Sequence, residues 1–165
     1  MRFSVAVVMQ RTPLAHRWAS ERWEPSAVLP AASDAAATPP VCIRDDREAT
    51  EWRFGGFALE LHRSEAEGYH LNLVAPEPKV FVNWRMHEET VVPPVYPVIV
   101  TVSYNEAARM MDGGERVDAV PLPDVVRDWM APFVALHYKP EPKQKVRRND
   151  PFADGAFRRD RRSRG

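Results

Sequence analysis

Histidine side chains are the groups in this chain whose type and spacing could bind a metal. His62, His70 and His87 fall in three segments of alternating apolar and polar residues, a pattern that predicts strands of an antiparallel meander. His62 and His70 would flank one hairpin, and imidazole is a general ligand of divalent transition metals. The alternative is a solvated sheet face, which would also carry Asn72 and Asn83. We favour it because alternating polar residues are the default on the exposed side of a sheet. We therefore predict no metal site and keep these three histidines as the residues to test.

Motifs of the common catalytic centres do not occur in the sequence. The chain contains no GxSxG, GxGxxG or GxxxxGK[ST] pattern. Gly55-Gly56 is followed by no Lys-Ser/Thr, so it predicts a bulge or tight bend and not a phosphate loop. Cys42 stands between two β-branched residues and is expected to be a small buried hydrophobe, not a nucleophile. We assign no catalytic residue and no cofactor, and we favour a role other than catalysis.

A cluster of Arg and Trp near the N-terminus has the composition of an interface anchor. Arg17, Trp18, Arg22 and Trp23 lie in the segment LAHRWASERWEP, and Trp and Arg are enriched among the residues that dominate binding energy. The other interpretation is a strand with one buried Trp and one Trp half-covered by Arg stems. These four residues, with Arg147 and Arg148 further on, are our predicted partner-binding residues.

The charges of the chain are distributed unevenly although they sum to zero. Residues 139–165 carry ten basic and four acidic side chains, a net charge of +6, and residues 1–138 carry 13 and 19, a net charge of −6. The C-terminal segment has few apolar residues, so it cannot bury enough surface to offset the entropy of ordering. We predict a disordered basic tail, which could bind nucleic acid non-specifically at most, since the RNA-recognition signature is missing.

The elements that would position these groups read as an α+β protein. Alternation predicts strands at Phe3–Met9, 57–62, 69–73, 80–87 and Val98–Val102. A capping box at Ser103 and Glu106 predicts a helix that ends at a left-handed Gly113. A second helical stripe follows at Val125, Val126, Trp129, Met130, Phe133, Val134 and His137.

The predicted architecture is a single domain over residues 1–138 with a surface loop at 31–50. About six antiparallel strands, open or barrel-like, would pack against two C-terminal helices, and residues 139–165 would form the basic tail. A single cysteine excludes an internal disulfide, and no apolar run approaches the ~18 residues of a membrane span. The alternation of the first residues and the early Arg11 favour a strand over a signal peptide, so we expect a cytoplasmic protein that does not bind membranes.

Three longer segments carry a family resemblance. SVAVVMQRTPLAHRWASERWEP, VSYNEAARMMDGGERVDAVPLP and VRDWMAPFVALHYKPEPK resemble a proteobacterial family known as a domain of unknown function. Its members are typically encoded beside formate dehydrogenase and other molybdopterin oxidoreductase maturation genes, and some carry the label molybdopterin-guanine dinucleotide biosynthesis protein. Guanylyltransferases of that name open with a Gly-rich nucleotide loop on a parallel α/β fold, and this chain has neither. The resemblance implies a setting, which is assembly or support of a molybdoenzyme.

Two functions compete on this basis. The first, which we favour, is a non-catalytic accessory or assembly protein that binds a molybdoenzyme subunit, such as one of formate dehydrogenase, or a ferredoxin. The second is a cofactor- or metal-binding protein, or an enzyme, in maturation of the molybdopterin cofactor, which would use a pocket at the polar sheet face.

Overall fold

A computed structural model describes residues 1–32 and 38–143 of the 165-residue chain. This part contains seven strands in two antiparallel sheets, one 3₁₀ turn at Arg63–Glu65 and three α-helices. The strands are β1 Arg2–Pro13, β2 Glu21–Pro30, β3 Val41–Asp45, β4 Thr50–Glu60, β5 Lys79–Met86, β6 Val95–Thr101 and β7 Val117–Pro121. The helices are α1 Ala66–Leu73, α2 Tyr104–Asp112 and α3 Asp124–His137.

The first sheet has the strand order β2-β1-β4-β3 and is built around the long strand β1. Every residue from Val5 to Met9 is buried, so both faces of β1 are covered there. In the β1–β4 ladder Val5 pairs with Phe57 and Val7 with Phe54, which leaves two glycines opposite Ala6. Gly56 has φ +84°, a conformation that favours glycine. The predicted bulge at Gly55-Gly56 is therefore confirmed.

The second sheet has the order β6-β5-β7 and covers the first. β6 lies beside β4 and β7 lies beside β2, so the sheets enclose the core between them. Apolar side chains of the central strands fill this core, including Val5, Val7, Met9, Val80, Val82 and Trp84. The exclusion of these side chains from water is the main stabilising term of the fold.

Helices α1 and α3 pack together and close the core where β1 begins. Tyr69 of α1 meets Phe133 of α3 edge to face, with ring centroids 6.2 Å apart. Phe3 of β1 contacts Trp129, with centroids 5.2 Å apart. The predicted apolar stripe of α3 supplies these contacts, because Val126, Met130, Phe133 and Val134 are buried. Val125, which we placed on the stripe, is 49% exposed.

The start of α2 follows half of the predicted capping box. Ser103 Oγ accepts a hydrogen bond from the Glu106 amide at 3.1 Å. The Glu106 carboxylate does not return to Ser103 but accepts from the hydroxyl of Thr101 at 2.6 Å. The prediction of a left-handed Gly113 is wrong, since its φ is −77° and Gly114 adopts the positive φ of +82°.

Residues 69–73 are the clearest error of the sequence prediction. They belong to α1 and not to a strand, so His70 and Asn72 do not lie on a polar sheet face. Asn72 and Asn83, both expected on that face, are buried. A run of five residues fits either the period of a strand or the period of a helix. Ala66, Tyr69 and Asn72 are buried at helical spacing, so the segment folds as a helix.

The α+β architecture with two C-terminal helices is confirmed, with seven strands in the described residues against about six expected. Within the segment 31–50, expected to be a loop, Val41–Asp45 forms β3, and Cys42 is exposed where burial was predicted. Among the described residues no helix is both long enough and apolar enough to cross a membrane. Most of the predicted tail, including Arg147 and Arg148, lies outside the described residues.

Candidate partner-binding surface

The loop between β1 and β2 is exposed along its whole length, residues 14–20. The ladder of the two strands ends with Thr12 opposite Arg22 and Pro13 opposite Glu21. The loop of residues 14–20 is closed at its base by a hydrogen bond from the Leu14 amide to the Ser20 carbonyl, 2.9 Å long. We call this segment the Trp18 loop. Its two ends are fixed by the sheet, so it projects from a rigid base.

The side chain of Trp18 is exposed at this loop. Trp18 is 84% accessible to solvent, the highest value among the exposed large hydrophobic residues of the described chain. The Trp18 amide donates to His16 Nδ1 at 3.3 Å, which holds the backbone next to the ring. Arg17 precedes it, is exposed, and forms no ion pair within the described residues. The loop presents an indole and a guanidinium with no carboxylate in the same segment.

The other two predicted residues are engaged within the fold. Trp23 is half-buried, packs against the core, and donates from its indole N–H to Glu21 Oε1 at 3.3 Å. Arg22 forms an ion pair with Glu24 at 2.8 Å. The structure therefore separates the predicted cluster: Arg17 and Trp18 lie together in the loop, and Arg22 and Trp23 lie on opposite faces of β2.

Charged residues at the base of the loop are paired with one another. Arg11 donates from Nε to the carboxylate of Glu21, and this bond is the largest cause of a pKa of Glu21 below its ordinary value. The β3–β4 turn lies at the same end of the sheet, because Arg11 and Asp45 both pair with Thr50 of β4. In that turn Arg44 Nε donates to Asp46 at 2.7 Å. These pairs neutralise the surroundings and leave Arg17 as an available cation of the loop.

The three candidate metal ligands lie in different environments. His62 follows β4 and approaches Glu60 at 3.6 Å, with its side chain 64% exposed. His70 stacks on Tyr138 with ring centroids 3.9 Å apart, and His87 lies against Tyr96 at 4.4 Å. In the part of the chain that the structure describes, no group of three or more His, Cys, Asp or Glu side chains could hold a metal ion.

Two neighbouring hollows meet at Arg85 and Met86. One has a volume of about 400 Å³ and extends to Gly114 and Arg116. The other has about 450 Å³ and extends to Glu88 and Tyr96. Arg85, which lines both, pairs with Glu115 at 2.8 Å, and this ion pair lowers the pKa of Glu115 and raises that of Arg85. Arg116 covers the ring of Trp84 at 4.5 Å. The two arginines of these hollows are thus matched, Arg85 by a carboxylate and Arg116 by an aromatic face.

A polar cluster at the junction of α1 and α2 was not predicted. Glu65 accepts from Ser103 Oγ at 2.7 Å and from Arg109 at 2.6 Å. A Cβ at Gly68 would lie 2.2 Å from Ser103 Oγ, so glycine is required for this close approach. The only signal in the sequence was the cap residue Ser103, because the partners are 35 or more positions away in the chain. The cluster joins the two helices, which is a structural role.

Comparison with known proteins places the chain in a family. A family model described as protein of unknown function (DUF3305) matches residues 4–147. The chain belongs to this family. Neither the curated proteins nor the solved structures contain a match. The family match includes β1 from Ser4 onward, the Trp18 loop and every later described element, and it continues past α3 to residue 147.

Proposed function

We propose that this DUF3305 protein is a non-catalytic accessory protein that binds another protein through the Trp18 loop. The observation that supports the proposal is the 84% exposure of Trp18 on a loop closed at its base. A tryptophan left in water on a fixed loop is available to fill an apolar pocket of a partner. Because the loop ends are already held by the β1–β2 ladder, binding would cost little additional ordering entropy.

The contribution of Trp18 to the binding free energy can be estimated from the area of its indole ring. Burying about 200 Å² of aromatic surface contributes about 5 kcal/mol before the costs of association are subtracted. Measured losses on truncating such an anchor are about 2 kcal/mol or more, a decrease in affinity of roughly 30-fold. Arg17 adds a guanidinium that can pair with a carboxylate at the rim of the pocket.

The partner that we propose is a molybdoenzyme subunit, such as one of formate dehydrogenase, or a ferredoxin, and the setting is the cytoplasm. The resemblance of the N-terminal and C-terminal segments to proteins encoded beside such maturation genes supports this choice. A helper of this kind needs a stable scaffold and an exposed anchor, and it needs no catalytic centre.

The experiment is affinity purification of the tagged full-length chain from its source cell, followed by identification of the proteins recovered. We expect a molybdoenzyme subunit or ferredoxin with the wild-type chain, and a roughly 30-fold weaker interaction after Trp18→Ala. Leu136→Ala is the matched control, since Leu136 is also an exposed large apolar residue, at 72%, but lies on α3. Recovery of the same partner with the Trp18→Ala variant at wild-type affinity would refute the proposed role of the loop.

A further inference from the structure

The loop between β5 and β6, residues 87–94, presents apolar side chains to water. The His87 amide donates to the Pro94 carbonyl at 2.8 Å, which closes the loop at its base. We call this segment the Val92 loop. Val92 is 80% exposed, and Met86, the last residue of β5, is 50% exposed. The apolar surface is therefore held in place by the sheet and is available to a second segment of chain.

Two carboxylates stand beside this apolar surface. Glu88 and Glu89 are exposed and form no ion pair within the described residues. They line a hollow of about 450 Å³ that the ring of Tyr96 also lines. A cation in this hollow would lie near two negative charges and an aromatic face. Arg85 lines the same hollow but is already paired with Glu115 at 2.8 Å. The surface therefore fits a segment that carries arginines and large apolar side chains close together.

The chain itself contains such a segment, outside the described residues. Residues 152–164 include two phenylalanines, five arginines and two aspartates, so their net charge is +3. We propose that this segment binds the Val92 loop of its own chain, with arginines at Glu88 and Glu89 and a phenylalanine at Val92. The charges of the two surfaces are of opposite sign, and the apolar side chains of each would remove those of the other from water.

The length of the chain is sufficient for this contact. α3 ends beside α1, where Tyr138 stacks on His70, and β5 begins at the same helix, since the Lys79 amide donates to Asn72. From there the eight residues of β5 extend about 26 Å to the Val92 loop. Phe152 follows Tyr138 by 14 positions, and an extended chain of that length spans about 46 Å. The segment can therefore reach the loop.

Attachment to the same chain means that the contact does not need the area of a stable interface between separate proteins. A covalently attached segment has an effective concentration in the millimolar range, so a contact with a dissociation constant of about 1 mM is occupied roughly half of the time. Exposed ion pairs contribute to this contact and are screened by salt. We therefore expect a partly populated contact that weakens as salt increases and does not depend on protein concentration.

Paramagnetic relaxation enhancement in the full-length chain tests the proposal. A nitroxide is attached at residue 163 through Ser163→Cys, in a chain whose native thiol is removed by Cys42→Ser. We expect the nitroxide to broaden the amide signals of Thr90, Val91 and Val92 at low salt. The broadening should fall at least twofold at about 0.5 M salt, because the ion pairs are then screened. Amide signals of these residues that the nitroxide leaves unchanged at low salt would overturn the proposal.

Charge substitutions in the labelled chain show whether the contact is specific. Glu88→Gln combined with Glu89→Gln should reduce the broadening at the Val92 loop at least twofold. The matched control is Glu67→Gln combined with Asp128→Asn, which removes the same charge from exposed carboxylates of α1 and α3 and should leave the broadening unchanged. An equal decrease with both pairs of substitutions, or no decrease with the first pair, would mean that the segment responds only to net charge and would overturn the proposed site.

A mixed sample distinguishes binding within one chain from binding between copies. Isotope-labelled chain without the nitroxide is combined with unlabelled chain that carries it. We expect no broadening at the Val92 loop in this mixture, and broadening there would assign the contact to a second copy and overturn the proposal. Trp18→Ala should alter none of these measurements, so the failure of this inference and the failure of the proposed function can be told apart.

Discussion

At the scale of single residues, Asn72 is the polar side chain on which the packing of α1 depends. It is fully buried, donates to the carbonyls of Lys79 at 2.7 Å and Val102 at 2.8 Å, and accepts from the Lys79 amide at 2.9 Å. Asn72→Ala would leave these three backbone groups buried without partners. We expect a loss of about 3 kcal/mol in the free energy of unfolding, measured by urea denaturation. Leu71→Ala, at a neighbouring exposed position, should cost less than about 1 kcal/mol; a similar cost for both variants would contradict this assignment.

Arg17, Trp18 and Asn72 show which features of single residues could be predicted from the sequence and which could not. Arg17 and Trp18 were predicted, with Arg22 and Trp23, as partner-binding residues, and the structure places these two together in an exposed loop. Their role in binding stays a prediction. Asn72 was expected on a solvated face, since YHLNL satisfies an alternation of period two. Its burial depends on Lys79 and Val102, and the second of these is 30 positions away. A local pattern cannot show that distant backbone groups will satisfy a buried amide.

At the scale of an element, the β3–β4 turn depends on the ionised carboxylate of Asp46. Arg44 donates to it, and the amides of Ala49 and Glu48 donate at 2.9 and 2.8 Å, which together lower its pKa from 3.8 to about 2. Because the pKa is lower in the folded chain, the carboxylate stabilises the fold above the unfolded pKa of 3.8. That contribution is lost as the pH falls through about 2. Thermal unfolding at a series of pH values should therefore show a smaller decrease toward acid for Asp46→Asn than for the wild type.

The control for this measurement is Asp128→Asn, an exposed carboxylate on α3 that forms no ion pair within the described residues. Its pH profile should follow that of the wild type. The difference between the wild type and Asp46→Asn should be largest above pH 3.8 and should disappear as the pH falls through about 2. A difference that stays constant across this range would mean that the substitution acts through the shape of the turn and not through its charge.

Elements whose pattern is complete within their own residues were predicted from the sequence. Elements that form only because another strand of the chain pairs with them were not. β1 has strong alternation, and the bulge of β4 is marked by two glycines, so both were found. β7 is a short segment, Val117–Pro121, that becomes a strand because it pairs with β5 from Lys79 to Asn83. β3 is similarly short and is extended because β4 lies beside it. Neither segment has enough residues for its period to be recognised without the neighbouring strand.

At the scale of the whole molecule, the distribution of charge predicts how the proposed complex responds to salt. Residues 139–165 carry a net charge of +6, and the family match ends inside this segment, at residue 147. Attraction between exposed charges is screened beyond about 8 Å at physiological ionic strength. If the basic tail contributes to binding beside Trp18, the complex should weaken as salt increases, and deletion of residues 139–165 should abolish it.

A full-length variant with the tail arginines replaced by glutamine separates charge from length. We expect this variant to bind weakly and with little dependence on salt, whereas Trp18→Ala should weaken binding and keep the dependence of the wild type. The measurement is the dissociation constant for the partner recovered from the cell, determined at several salt concentrations. The two variants act on different contributions to the binding free energy. Burial of an indole is insensitive to ionic strength, whereas attraction by the charged tail depends on it. A complex indifferent to removal of residues 139–165 would assign binding to the Trp18 loop alone.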